Sequence, residues 1–377
     1  MQPSTEIQKQ PMKENWRTLL DKGVFHFFKD IVKISLFHPS WWRATFFLLI
    51  SQIQSARKRL ASQKKGIMVP PFMILSVTDK CNLKCAGCYA KALHPAKKES
   101  LKTERLVELL SEAHKLGVSS VLLAGGEPLT RPDLLSMTRK FPSLGFALFT
   151  NGTLLDEEKV RELRHHRHVV PIISLEGHKT ATDARRGSGV YDACKSAIAL
   201  CKKNSLLFGC SVTVDRENFS ETINSTWISA MYSEGCRFFV FVEYVPVDNS
   251  ASAKAITIEQ RTRLATTAAA LHRQYNALFI VFPGDEAEYG GCLAAGRGFI
   301  HINASGDLEP CPFAPFSDRS LAQGSLENAL RSPLFEKIRN GHASLRETEG
   351  GCALWREREW VASLVDAEKS PLHPSCP

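Results

Sequence analysis

At 377 residues, 44% hydrophobic and 23% charged, the chain is long enough to bury one large core plus a smaller appended unit, which excludes a disordered polypeptide. The net charge of +9 is unevenly spread: residues 1–68 hold 12 Lys/Arg against 4 Asp/Glu, a balance of +8, so the remainder contributes only +1. A surface wrapped around nucleic acid spreads its basic residues over the folded part, so no nucleic-acid partner is expected and the N-terminal arm is assigned a partner of its own. Eleven cysteines in a chain of this length fit reduced thiols better than a disulfide scaffold. The polar N-terminus also lacks the features of a signal peptide, so the expected location is the cytoplasm.

Residues 16–60 hold two apolar, basic segments separated by His38-Pro39-Ser40. In the first, Val24, Phe28, Ile31 and Val32 recur at helical spacing, with Lys22, Lys29 and Lys33 among the polar positions. The second runs from Trp41 and Trp42 through Phe46, Phe47, Leu48, Leu49, Ile50 and Ile53 to Arg57-Lys58-Arg59. Its longest uncharged stretch, residues 44–56, is 13 residues, short of the ~20 apolar residues that a bilayer span needs. Two roles suit this composition: a helix lying peripherally on the inner face of a membrane, or a helix pair packed on the protein's own surface.

From residue 71 short apolar runs alternate with helical segments. Strands are predicted over 73–78, 119–123, 146–150, 170–175, 208–214 and 238–245, and helices near 102–116, 131–140, 155–165, 190–203 and 221–234. Six such repeats predict parallel strands with crossover helices, an α/β fold built as a partial (β/α)6 TIM-like barrel with active residues at the C-terminal strand ends. A helix near 258–275 and a strand over 278–282 close this region. Beyond Pro283 the texture turns Gly- and Cys-rich, with a hairpin of 299–303 and 307–311 around Ala304-Ser305-Gly306. The expected division is an arm over 1–68, a core over 69–284 and a small C-terminal domain over 285–377.

Cys81, Cys85 and Cys88 follow the first strand with Cys-x3-Cys-x2-Cys spacing. Three thiolates in one tight loop bind three irons of a cubane and leave the fourth without a protein ligand. Zinc would want four ligands, and no neighbouring His completes such a set, so the open cluster fits better. Ala124-Gly125-Gly126-Glu127-Pro128 ends the second strand, Thr150-Asn151-Gly152 the third, and Ser174-Leu175-Glu176-Gly177 the fourth. Asn-Gly is also a common turn. Cys194, Cys201, Cys210 and Cys236 lie among apolar neighbours and are read as buried free thiols. His165, His166 and His168 are read as a solvated turn.

With these motifs in this order, residues 71–355 resemble the radical S-adenosylmethionine (SAM) superfamily. The resemblance implies a [4Fe-4S] cluster whose open iron chelates SAM, and one-electron cleavage of SAM to methionine and a 5′-deoxyadenosyl radical that removes hydrogen from substrate. It places Tyr89 against the adenine, Gly125, Gly126 and Glu127 at the methionine amino group, and Ser174 and Glu176 on the ribose and methionine side. Asn151 joins them as a weaker candidate. Arg186, followed by Gly187, is similar to the arginine that meets the SAM carboxylate in peptide-modifying members, and Thr213 flanks adenine or belongs to the core. Position alone makes Glu243 and Tyr244 candidates for proton or electron transfer.

Cys292, Gly306 and Cys311 give Cys-x13-Gly-x4-Cys, which resembles the opening of a SPASM or twitch extension, with Cys352 a candidate third ligand and structural cysteines the alternative for all three. The Cys-x2-Cys-x5-Cys-x3-Cys block of the full extension is missing, so one auxiliary [4Fe-4S] cluster is expected. Its fourth ligand is left open between Cys376, a non-cysteine group and substrate. The implied activity is radical chemistry on a peptide, protein or other bulky substrate, with a flavodoxin- or ferredoxin-like electron donor. A lipid or membrane-bound intermediate is the alternative substrate, and a non-catalytic iron-sulfur scaffold the alternative class. No leader-binding module is apparent before the barrel.

Overall fold

The computed structural model describes residues 16–36, 38–94, 99–247, 249–283, 291–341, 345 and 352–365. Nine strands form one sheet: β1 (Phe72–Thr78), β2 (Ser120–Gly125), β3 (Gly145–Thr150), β4 (Val169–Leu175), β5 (Gly209–Val214), β6 (Phe238–Glu243), β7 (Leu278–Phe282), β8 (Phe299–Ile302) and β9 (Leu308–Glu309). Their order is β7-β6-β5-β4-β3-β2-β1-β8-β9, and β7 does not pair with β9. The result is the partial, TIM-like parallel barrel that the repeats predict, with helices such as Thr103–Leu116 and Val190–Lys203 as crossovers. Each of the six expected strands is present, displaced by at most two residues at its ends.

Two strands extend that expectation. β7 pairs parallel to β6, and β8 pairs parallel to β1, so the hairpin of the C-terminal part lies in the core's own sheet. β9 then returns antiparallel, with His301 opposite Glu309.

Strand alternation splits the sheet's side chains between two apolar clusters. Met73, Leu75, Val121, Leu123, Phe146 and Leu148 point to the crossover helices. Ile172, Phe238, Val240 and Leu278, with Phe72, Ala147 and Phe149, point the other way, into the concave face. An unpaired apolar concavity must be covered, and α1 (Trp16–Ser35) does so. Its Leu20, Val24, Phe28, Ile31 and Ile34 are all buried in this second cluster. Of the two roles left open for the arm, α1 therefore takes ordinary packing.

α2 (Pro39–Lys64) runs back along α1. Arg59 fastens the pair to the core, bonding the Gly117 carbonyl at 2.8 Å, the Ser119 hydroxyl at 2.7 Å and Asp21 at 2.8 Å. Trp41 donates to the Ser205 carbonyl at the other end. Among the described residues no helix is long and apolar enough to cross a membrane.

The histidine turn differs from expectation. His166 and His168 are buried, and His168 Nε2 donates to the Thr138 carbonyl at 3.1 Å while its ring meets Phe146 edge-on. The strand that follows immediately draws them beneath the helix Leu134–Thr138. The four free thiols Cys194, Cys201, Cys210 and Cys236 are buried as expected.

If α1 covers the core in this way, Phe28→Ala lowers the unfolding free energy by ~3–5 kcal/mol, whereas Phe46→Ala on the exposed side of α2 changes it by under ~0.5 kcal/mol. Urea denaturation of the two variants checks the contrast.

Candidate active site

The cysteine loop begins where β1 ends and is fixed by the tips of the next two strands. Gly126 N donates to the Thr78 carbonyl and Glu127 N to the Lys80 carbonyl, each at 2.8 Å. A Cβ on Gly125 or Gly126 would fall well inside contact distance of those same carbonyls, and Gly125 also has φ of +127°. Only glycine lets the second strand's tip lie this close. The sequence gives these two glycines a role in approaching a ligand; the structure shows in addition that they approach the cysteine loop, through the Gly126 and Glu127 N–H groups.

Glu127 continues the tie. Its carboxylate accepts from Leu129 N at 3.0 Å, Thr150 Oγ1 at 2.8 Å and Asn151 N at 2.7 Å. Burial pushes its carboxyl pKa up, and those three hydrogen bonds pull against that shift. Asn151 Nδ2 then donates to Asn82 Oδ1 at 2.9 Å, returning to the cysteine loop. Glu127 thus tethers β1, β2 and β3 to one another.

On the far side, Ala86 N donates to the Arg185 carbonyl at 2.8 Å, which joins the loop to the helix Lys179–Arg186. Buried Glu176 accepts from Arg185 Nη1 at 2.5 Å, Arg186 Nε at 2.8 Å and Thr213 N at 3.1 Å. Its carboxylate is engaged by protein, so its effect is to orient Arg186. Ser174 and Ser211 hydroxyls lie 3.0 Å apart on adjacent strands.

The two residues proposed from the end of the sixth strand separate. Glu243 is bound by Arg261 Nε and Nη2, both at 2.7 Å, so the expected proton carrier is instead half of a buried ion pair. Tyr244 packs its ring on Gly87, where a Cβ would meet it at 2.8 Å, and so does touch the cysteine loop.

The donor set suits an iron-sulfur cluster. Cys81, Cys85 and Cys88 share one loop, and the Cys81 thiol is pushed up by burial and by the charges of Glu127, Cys85 and Cys88. Like charges that oppose one another in this way are relieved by a bound cation. The second set also converges: Cys292, Cys311 and Cys352 are buried, and a hydrogen bond between Cys311 and Cys352 holds the Cys311 proton well above the usual thiol range. Cys376 lies outside the described residues, as do Gly350 and Gly351. Tyr89 spans the two sets: its ring meets Phe313 at a centroid distance of 4.7 Å, and its phenol is raised by burial and by the nearby Cys88 and Cys311.

The sequence reasoning missed a further polar cluster. His94, His301 and Glu309 place three potential ligand atoms within 4.8 Å of one another. His301 Nδ1 lies 2.7 Å from Glu309 Oε2, His301 Nε2 lies 2.9 Å from Ser76 Oγ, and His94 Nε2 lies 2.8 Å from the Pro312 carbonyl. Burial drives His301 down to about 3 and Glu309 up to about 8, each toward its uncharged form. The predicted hairpin held the signal, because a turn at Ala304-Ser305-Gly306 puts residues 301 and 309 opposite each other. Nothing local to His94 announces its part.

Glu309, raised on folding, binds an extra proton in the native state and lowers stability as pH climbs, while the depressed His301 gives the opposite slope below its ordinary 6.5, so the net decline lies between about 6.5 and about 8. Denaturation of apo-protein across this window follows that slope, and Glu309→Gln flattens it.

Comparison with known proteins agrees with the geometry. Residues 75–224 match the Radical SAM superfamily. The AdoMet-dependent heme synthase of Methanosarcina barkeri is 25% identical over 80% of this chain and 95% of its own length. The mycofactocin maturase MftC of Mycolicibacterium smegmatis is 25% identical over 81% and 80%, respectively. In fold, the chain resembles Streptococcus suis SuiB bound to its precursor peptide SuiA, with a TM-score of 0.63 and 20% identity over 80% of this chain and 74% of SuiB. Residues 75–224 therefore form a radical SAM domain, the part of an enzyme that uses SAM and a [4Fe-4S] cluster.

Proposed function

We propose that this enzyme abstracts hydrogen from a peptide or protein held between the Cys81-Cys85-Cys88 loop and the auxiliary cysteines. The observation that carries the proposal is Tyr89, which packs against Phe313 within electrostatic reach of both Cys88 and Cys311 and so joins the two sets in one wall. Similarity to MftC, a mycofactocin maturase, and to SuiB, solved with its precursor peptide, supports a peptide substrate.

In this proposal Cys81, Cys85 and Cys88 hold the SAM-binding cluster, and Cys292, Cys311 and Cys352 hold one auxiliary cluster, with Cys376 a candidate fourth ligand. When bound there, the cluster would supply reducing chemistry toward SAM, with a flavodoxin- or ferredoxin-like protein as its electron donor. The protein's own work is positional. Glu176 holds one edge of Arg186, leaving its other N–H groups to meet the SAM carboxylate. Tyr89, Gly125, Gly126, Asn151, Ser174 and Thr213 surround the remainder of SAM, and Tyr244 closes the loop's substrate side. The parts 1–68, 69–284 and 285–377 then act as arm, core and auxiliary segment of one catalytic unit. A lipid or membrane-bound substrate is the second reading, favoured by the exposed apolar side of α2.

Anaerobic reconstitution with SAM and dithionite yields 5′-deoxyadenosine, and replacing Cys81, Cys85 and Cys88 with Ser reduces it to background. Cys311→Ser lowers bound iron by about four atoms per chain while SAM cleavage persists. Short peptides encoded beside the gene accelerate 5′-deoxyadenosine formation and change mass. Acceleration by a membrane lipid extract, with none by such peptides, would overturn the peptide assignment in favour of the lipid.

A further inference from the structure

We infer that α2, with the arginine-lined cavity at its C-terminal end, is a docking surface for an anionic lipid bilayer. The helix is apolar on two sides. Trp41 and Leu48 face the protein, whereas Trp42, Phe46, Phe47, Ile50, Ile53 and Leu60 are 41–53% exposed. At 100° per residue, Trp42, Phe46, Ile50, Ile53 and Leu60 fall within roughly 80° of one another, so they form one stripe along a helix roughly 39 Å long. Isolated exposed apolar side chains are ordinary, but a continuous stripe with aromatic residues at one end marks an interaction surface.

Charge decides the occupant. α2 contains Arg43, Arg57, Lys58, Arg59 and Lys64 and no Asp or Glu. By helical position, Arg43, Arg57 and Lys64 lie beside or within the apolar stripe, where their stems can follow it while their heads reach phosphate. The stripe faces solvent, every charged residue on its helix is basic, and the helix is not long and apolar enough to cross a membrane. These are the properties of a helix lying in the headgroup plane. A protein partner would have to supply both a groove and a matching row of carboxylates.

A cavity of about 210 Å³ adjoins this stripe at Leu60. Arg17, Arg59, Arg297 and Arg339 line it, and Asp21 is the one carboxylate among its lining residues. Asp21 pairs with Arg59 at 2.8 Å. Arg297 lies over the Trp16 ring, 4.5 Å from its centroid. A basic cavity opening next to a lipid-facing stripe suits a phosphate headgroup.

The test is co-sedimentation of the full-length, cluster-loaded enzyme with vesicles. It binds vesicles containing phosphatidylglycerol, does not bind pure phosphatidylcholine, and releases as salt rises. Phe46→Ser/Ile50→Ser weakens binding at least tenfold, and Arg17→Gln weakens binding to phosphatidylglycerol vesicles, while both variants still cleave SAM. Retained SAM cleavage separates failure of this surface from failure of the catalytic assignment. Absence of vesicle binding overturns the inference, as does equal binding by the double variant. Stabilisation by inorganic phosphate without vesicle binding assigns the cavity to a soluble anion and also overturns it. Self-association abolished by the double variant, again without vesicle binding, identifies a protein interface instead and overturns it equally.

Discussion

The close contact between Gly125-Gly126 and the backbone of Thr78–Lys80 governs the site. Two parallel strands ordinarily part where their loops begin, but here Gly126 N and Glu127 N remain bonded to Thr78 and Lys80. The first cysteine of the loop is therefore one residue from a clamped backbone. Glu127 carries the clamp to Thr150 and Asn151, and Asn151 returns it to Asn82. The loop is held through a closed circuit of short hydrogen bonds whose Glu127 members are buried, where each is costly to leave unmade.

Buried acids elsewhere work in the same manner. Glu176 gathers Arg185, Arg186 and the β5 backbone, while Glu243 is held by Arg261 across its two oxygens. Residue type and strand-end position made these acids resemble ligand or proton-transfer groups. Their bonds make them positioning residues, which suits a reaction whose reactive species is supplied by cofactor and cosubstrate while the protein supplies orientation and exclusion of water.

The concave side of the sheet poses a separate requirement. A parallel sheet with apolar residues on both faces needs two covers. Crossover helices supply one, and α1 supplies the other from outside the repeat. This joins the basic arm to the stability of the core, and places α2 on the outside with its second apolar stripe exposed.

The order of strands and helices, the cysteine spacing, the glycine pair and the hairpin of the C-terminal part were legible in the sequence, because each rests on local periodicity or turn chemistry. Arg261 with Glu243 and the His94-His301-Glu309 cluster were not, since in each case residues far apart in the chain are brought together only by sheet order. The arm shows the division most clearly. Its composition determined two amphipathic, basic helices, but composition cannot tell a stripe that meets protein from one that meets solvent. Only packing against the concave sheet decided that α1 is buried and α2 is exposed, because burial depends on which apolar surface lies opposite.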